Sequence, residues 1–229
     1  MKQILSALAL VVFATNAQAQ VGHLPQNSPY RDLETSQELT FFGGHYRAGK
    51  DPIGIAPSDG GMYGLRYLIH VGGPAFLMAR WSHVNSERLS IDPTKVGAAR
   101  QLGKQNVSLN LYDIDLALNL TGQKSFHHIV PVVNLGAGIA SCGCSVNDVD
   151  PYTFGTPFAF TFGAGLRWVP GGRFQLTADW NDHLYQLKYP TAYYLAPTGG
   201  TAAVPSDQAR SFWKGNRALT IGASLLFFR

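Results

Sequence analysis

The chain has 229 residues, a formal net charge of +4, 14% charged residues, 12% aromatics and 25 glycines. That size suits a single domain, and the basic residues are scattered with no run of five or six, so a nucleic-acid-binding reading has little support. Sparse charge with plentiful glycine and aromatics fits the wall of a β-barrel better than a soluble α/β enzyme.

The N-terminus carries Lys2, an apolar stretch from Ile4 to Ala14, and then Asn16-Ala17-Gln18-Ala19. A basic start, a short hydrophobic region and a small-x-small site make a secretory signal peptide cleaved after Ala19. The apolar stretch is far shorter than the ~20 residues a spanning helix needs. Residues 1–19 therefore read as the signal and residues 20–37, with Pro25 and Pro29, as a mobile periplasmic lead-in. Residues 38–229 read as the folded domain.

A first strand spans about Glu38 to Arg47, its faces undecided, and a Gly-, Pro- and Asp-rich loop follows to about Gly61. In the second strand Tyr63, Leu65, Tyr67, Ile69 and Val71 oppose Gly64, Arg66, Leu68 and His70. Gly72-Gly73-Pro74 is then a tight turn. The third strand sets Leu77, Ala79 and Trp81 against Met78, Arg80 and Ser82, and a polar loop runs from about Glu87 to Gln105. The fourth sets Tyr112, Ile114, Leu116, Leu118 and Leu120 against Asp113, Asp115, Ala117 and Asn119. Val107, Leu109 and Leu111 break its phase, which predicts a bulge or a strand running beyond the lipid.

The fifth strand, about Ile129 to Ala140, carries Val133, Leu135, Ala137 and Ile139 against Asn134, Gly136 and Gly138. A loop with Cys142 and Cys144 precedes the sixth, where Phe158, Phe160, Phe162, Ala164, Leu166 and Trp168 oppose Ala159, Thr161, Gly163, Gly165 and Arg167. Pro170-Gly171-Gly172 turns into the seventh, with Phe174, Leu176, Ala178 and Trp180 against Gln175, Thr177, Asp179 and Asn181. A last long loop, near Pro190 to Arg210, leads to the eighth.

The connections alternate long and short throughout. An even number of strands with short turns at one end and long loops at the other predicts an all-β fold, an eight-stranded antiparallel transmembrane up-and-down β-barrel. Phe158 and Trp168 lie ten residues apart, roughly 33 Å of strand, or about 25 Å of height when tilted by ~40°, the thickness of an apolar band. Tyr63, Trp81, Tyr112 and Trp180 are expected in an outer aromatic girdle and Trp168, Phe174 and Phe227 in an inner one, with Phe158 at the outer end of its strand.

The C-terminal run from Thr220 through Gly222, Leu225 and Phe227 resembles the closing signal of bacterial outer-membrane barrels: a polar residue, a glycine two on, then alternating apolar residues to an aromatic. Arg229 departs from that pattern. With Leu135-Gly136-Ala137-Gly138 and Phe162-Gly163-Ala164-Gly165-Leu166-Arg167, residues 38–228 resemble the OmpA-like or OmpX-like small-barrel family. The resemblance implies the architecture, an outer-membrane location, and outer-membrane lipid, lipopolysaccharide and the barrel-assembly machinery as partners. It is expected without the peptidoglycan-binding domain of full-length OmpA relatives.

The inward set Arg66, Arg80, Asp113, Asp115, Arg167 and Asp179 is expected to form a paired polar network that plugs a narrow lumen, with His70 as a titrating member. The runner-up is a narrow porin-like path for small solutes. Ser82-His83-Val84-Asn85-Ser86-Glu87 holds nucleophile, base and acid types, and barrel enzymes that deacylate lipid A use Ser, His and Glu. Neighbouring residues on a strand diverge, however, so no enzyme is expected. Asp179, Asp182 and His183 are spaced too widely for one ion, so no metal or other cofactor is expected. Cys142 and Cys144 read as a disulfide in an oxidising compartment, as free thiols or as a loop redox pair. The expected role is structural, with the long loops presented to an unidentified surface ligand.

Overall fold

The computed structural model describes residues 28–33, 36–144 and 149–227. The expected signal peptide, most of the lead-in, and Arg229 lie outside these residues. Ten strands form one antiparallel sheet: β1 (Tyr30–Asp32), β2 (Gln37–Arg47), β3 (Gly60–Gly72), β4 (Ala75–Ile91), β5 (Gln101–Asn119), β6 (Lys124–Phe126), β7 (Ile129–Cys142), β8 (Phe158–Gly171), β9 (Phe174–Lys188) and β10 (Ser211–Phe227). The eight long strands pair in chain order, and β10 pairs back onto β2. The sheet is a closed ring.

The registers fix how that ring is sheared. From Gln37 the cross-strand partners run through Ile69, Leu77, Leu116, Leu135, Phe162, Asp182 and Arg217 to Arg47. One circuit thus returns to β2 ten residues further along. A ten-residue stagger over eight strands corresponds to a tilt of about 40° and an interior that side chains alone can fill. Short connections at one end use glycines in the left-handed region, such as Gly73 (φ 53°) and Gly172 (φ 72°), where a Cβ would be strained. The other end carries the long loops.

Two sequence expectations change and one open alternative is decided. β4 continues to Ile91 and β5 starts at Gln101, so most of the polar segment expected as a loop is a hairpin projecting from the ring. Of the two alternatives for Val107–Leu111, a bulge is absent and the strand runs on instead: β5 pairs continuously with β4 there, and the one irregularity falls between Ser90 and Ile91. Val107, Leu109 and Leu111 point inward in phase with Asp113 and Asp115, because the interior itself becomes apolar toward the loops. Within the lead-in, Tyr30–Asp32 forms a strand on β6, and Leu33 packs against a buried cluster that includes Leu68, Phe76 and Val130.

Candidate functional site

Strand alternation on a closed ring sends every second side chain inward. The order of inward residues along β4 and β5 reveals three layers. On β4 they run Phe76, Met78, Arg80, Ser82, Val84; on β5, Ala117, Asp115, Asp113, Leu111, Leu109. A small turn-side core contains Leu68, Phe76, Met78, Ala117, Val130 and Val132. A larger loop-side core joins strand residues such as Tyr46, Leu109 and Tyr185 to Ile55, Tyr152, Phe154, Tyr193 and Val204 from the long loops. The ionic layer lies between.

In that layer Arg80 donates from Nε to Asp113 (3.2 Å) and from Nη2 to Asp115 (2.9 Å). Arg66 meets Asp179 at 3.0 Å and Arg167 meets Glu38 at 3.2 Å. Across the lumen, Thr161 donates to Asp115, and His183 Nε2 lies 3.3 Å from Asp113 Oδ2. Thr40 donates to Glu38 (3.0 Å) and shares a 2.9 Å hydrogen bond with Ser224. The Arg167 guanidinium also sits 5.5 Å over the Phe76 ring. Charges buried this deeply persist only when paired, and all six expected lumen residues point inward with a partner of opposite sign.

Glu38 and His183 also belong to this network: the sequence points to His183 only as a rejected metal ligand and to Glu38 not at all, because the first strand has no assigned phase. His70 stays outside the ionic layer. Its ring lies at the turn-side rim, 2.9 Å from the Gly73 carbonyl and 5.0 Å from Phe76.

A second ionic centre holds the loops over the ring. Asp150 receives Arg88 Nη2 at 2.9 Å, the Ser90 hydroxyl at 2.7 Å, the Tyr193 hydroxyl at 2.5 Å, and the amides of Tyr152 (3.1 Å) and Ile91 (3.3 Å). The Arg88 guanidinium stacks 5.1 Å over Tyr152. Burial alone would push the Asp150 carboxyl up, but these hydrogen bonds and the Arg88 charge hold it below the ordinary carboxylate range. Burial and the hydrogen bond to Asp150 push the Tyr193 phenol up. Tyr189, bonded to Asp51 at 2.5 Å, is raised for the same two reasons. No sequence periodicity pointed to Arg88 or Asp150.

Ser82 is fully buried inside the ring, whereas His83 faces outward and bonds Asn110 at 2.9 Å. They lie on opposite sides of the wall. Among the described residues, no cluster of three or more metal-binding side chains occurs. Asp179 and His183 point inward, while Asp182 points outward toward Arg217. Cys142 and Cys144 are joined as a disulfide, with Cα atoms 5.1 Å apart.

The outer wall is apolar and exposed. Trp81 lies directly opposite Tyr112 with Tyr63 at 6.3 Å, Phe158 lies opposite Ile139, and Trp180 packs on Phe162 at 5.8 Å. Trp168, Phe174 and Phe227 stand at the turn end, all exposed. Trp213, whose strand had no assigned face, adds an exposed aromatic near the loops, 5.8 Å from Phe160. In the closing segment Thr220 points inward and Leu225 and Phe227 outward, beside Gly222.

No family model matches the chain, and no curated protein matches it. Solved structures do. Neisserial surface protein A is similar over 83% of this chain and 97% of its own, at 9% identity and a TM-score of 0.53. The outer membrane protein OprG from Pseudomonas aeruginosa is similar over 86% and 99%, at 12% identity and a TM-score of 0.51. At these identities the likeness establishes the fold alone: an antiparallel eight-strand ring of the kind found in small outer-membrane β-barrels.

Proposed function

We propose that the chain is an integral outer-membrane β-barrel with a structural and surface-interaction role, its lumen closed by its own side chains. The observation that carries this is the inversion of the wall. Residues such as Ile114 (64% exposed), Leu135 (67%) and Ile221 (72%) cover the outside, while the interior holds paired Arg, Asp and Glu. Apolar surface of that extent implies a covering phase, and the turn-end and loop-side aromatics suit the two interfaces of a bilayer. The long loops then face the exterior, where a ligand would meet them.

The porin-like alternative requires a continuous wet path. The apolar cores on both sides of the ionic layer argue against one. In planar bilayers the folded protein is expected to stay silent at 100 mV; steady openings would overturn the plugged reading in favour of the pore. The lipid A-modifying alternative is weakened by the opposite facing of Ser82 and His83. Expression is expected to leave the mass of lipid A unchanged, and a change abolished by Ser82→Ala or His83→Ala would establish the enzyme instead.

A further inference from the structure

We infer that the outer wall at β9, β10 and β2 is a specific site for lipid A, the phosphorylated acylated glycolipid of the outer leaflet. Its phosphate sits on Arg47 and Arg217 and an acyl chain lies in the groove beside them. This rests on the proposal that lipid surrounds the wall with the loops outside.

Arg47 and Arg217 are direct partners across the β2–β10 ladder, both on the outward face. Like charges placed opposite one another destabilise a sheet. One carboxylate partly offsets them: Asp182, the partner of Arg217 on β9, lies 3.8 Å from it. Arg47 makes no ion pair among the described residues. His45, one outward position along β2, lies opposite Leu219. The row therefore keeps a net positive charge with guanidinium donors to spare.

Its surroundings make that charge informative. Along β10 the outward residues are Gly215 and then Trp213 toward the loops, the latter 50% exposed, and Leu219 and Ile221 toward the turns, 62% and 72% exposed. A cationic pair within an apolar belt is costly unless an anion meets it. Guanidinium forks match phosphate oxygens bidentately.

The wall beside the pair is hollowed. Gly43, Ala164 and Ala178 present almost no side chain between Trp180, Leu219 and Ile221, leaving an apolar groove that starts at His45 and descends toward the turns. A shallow furrow lined this way fits a methylene chain. Neither arginine lines this groove; the pair lies one outward position beyond its His45–Leu219 end, whereas a comparable hollow at Ala79 and Ala137 is flanked by Trp81, Tyr112 and Phe158. The guanidinium pair adjoins the loop-side end of the first hollow, so a ligand that fills both joins a phosphate to acyl chains. On the loop side of an outer membrane, lipid A meets that requirement.

The test is a native mass-spectrometry titration of the mature protein, folded in neutral detergent, with bisphosphorylated lipid A. One molecule is expected to be retained. Enzymatically dephosphorylated lipid A, the double variant Arg47→Gln/Arg217→Gln, and the groove-filling Ala178→Leu are each expected to weaken retention at least tenfold. Each variant must show the heat-dependent gel shift of the parent. Parent-like binding by the folded Gln variant would overturn the site. Equal retention of phosphatidylglycerol would overturn the assignment to lipid A. A mature chain that stays folded and monomeric without detergent would instead overturn the membrane reading itself.

Discussion

Replacing Asp150 by Ala tests the idea that one buried carboxylate fastens the loops over the ring. Both partners of the Arg88–Asp150 pair are fully buried, with side chains 2.9 Å apart. After the substitution the guanidinium keeps a 3.4 Å hydrogen bond to Gln105 and its stacking on Tyr152, while its Nε and Nη1 already lack a hydrogen-bond partner. Removing one member of a buried pair costs about 3–5 kcal/mol. At about 1.4 kcal/mol per tenfold change, that is roughly two to four powers of ten in an opening equilibrium. Hydrogen exchange in detergent micelles should therefore show protection lost by about that factor at the amides of 150–154 and 190–204. The strands β7 to β10 should remain protected. Because a buried pair is often replaceable by apolar residues of similar size, Arg88→Met/Asp150→Leu should recover much of the loss. Unchanged exchange in Asp150→Ala would refute the reasoning, and a uniform rise across the strands would show that Asp150 supports the ring rather than the cap.

Two further outcomes follow from the same contacts. Arg167→Ala leaves Glu38 buried without its 3.2 Å cation and removes the contact with Phe76. Chemical unfolding should show a loss of about 3–5 kcal/mol with no large conductance, and unchanged stability would count against the network. The Asp150 carboxyl is depressed in the folded protein, so its contribution is complete above the unfolded carboxylate pKa of about 3.9 and is lost as the pH falls through the lower folded value. Exchange at 150–154 should accelerate on acidification through that window in the parent, and Asp150→Asn should abolish the acid-dependent step.

Much of the ring was legible because its physics is local. Two-residue alternation, turn glycines and the exchange of short and long connections are all visible along the chain. Phase alone placed Arg66, Arg80, Asp113, Asp115, Arg167 and Asp179 on one side of the wall. The first strand resisted because Phe41-Phe42 and Gly43-Gly44 repeat one residue type on both faces. Its inward Glu38, partner to Arg167, was missed as a result. Which charges meet was not legible either. Arg167 on β8 reaches Glu38 on β2 across the lumen, and His183 on β9 reaches Asp113 on β5; such meetings depend on curvature and stagger.

The segment at Val107–Leu111, left open between a bulge and an extended strand, shows why the loop-side half was harder. Its apolar residues conflict with the strand's outward set only if every inward position is polar. That premise holds where the lumen is a layer of ion pairs, and it fails where loops fold back and exclude water. Ile55, Tyr152, Phe154, Tyr193 and Val204 arrive from segments without periodicity and turn the interior at Leu109 and Leu111 into an ordinary hydrophobic core. The inward faces of β4 and β5 therefore change character along their length while their backbone phase does not. A strand whose apolar residues switch faces without a bulge is then a sign, readable in other small rings, that something folds inward to cover the mouth.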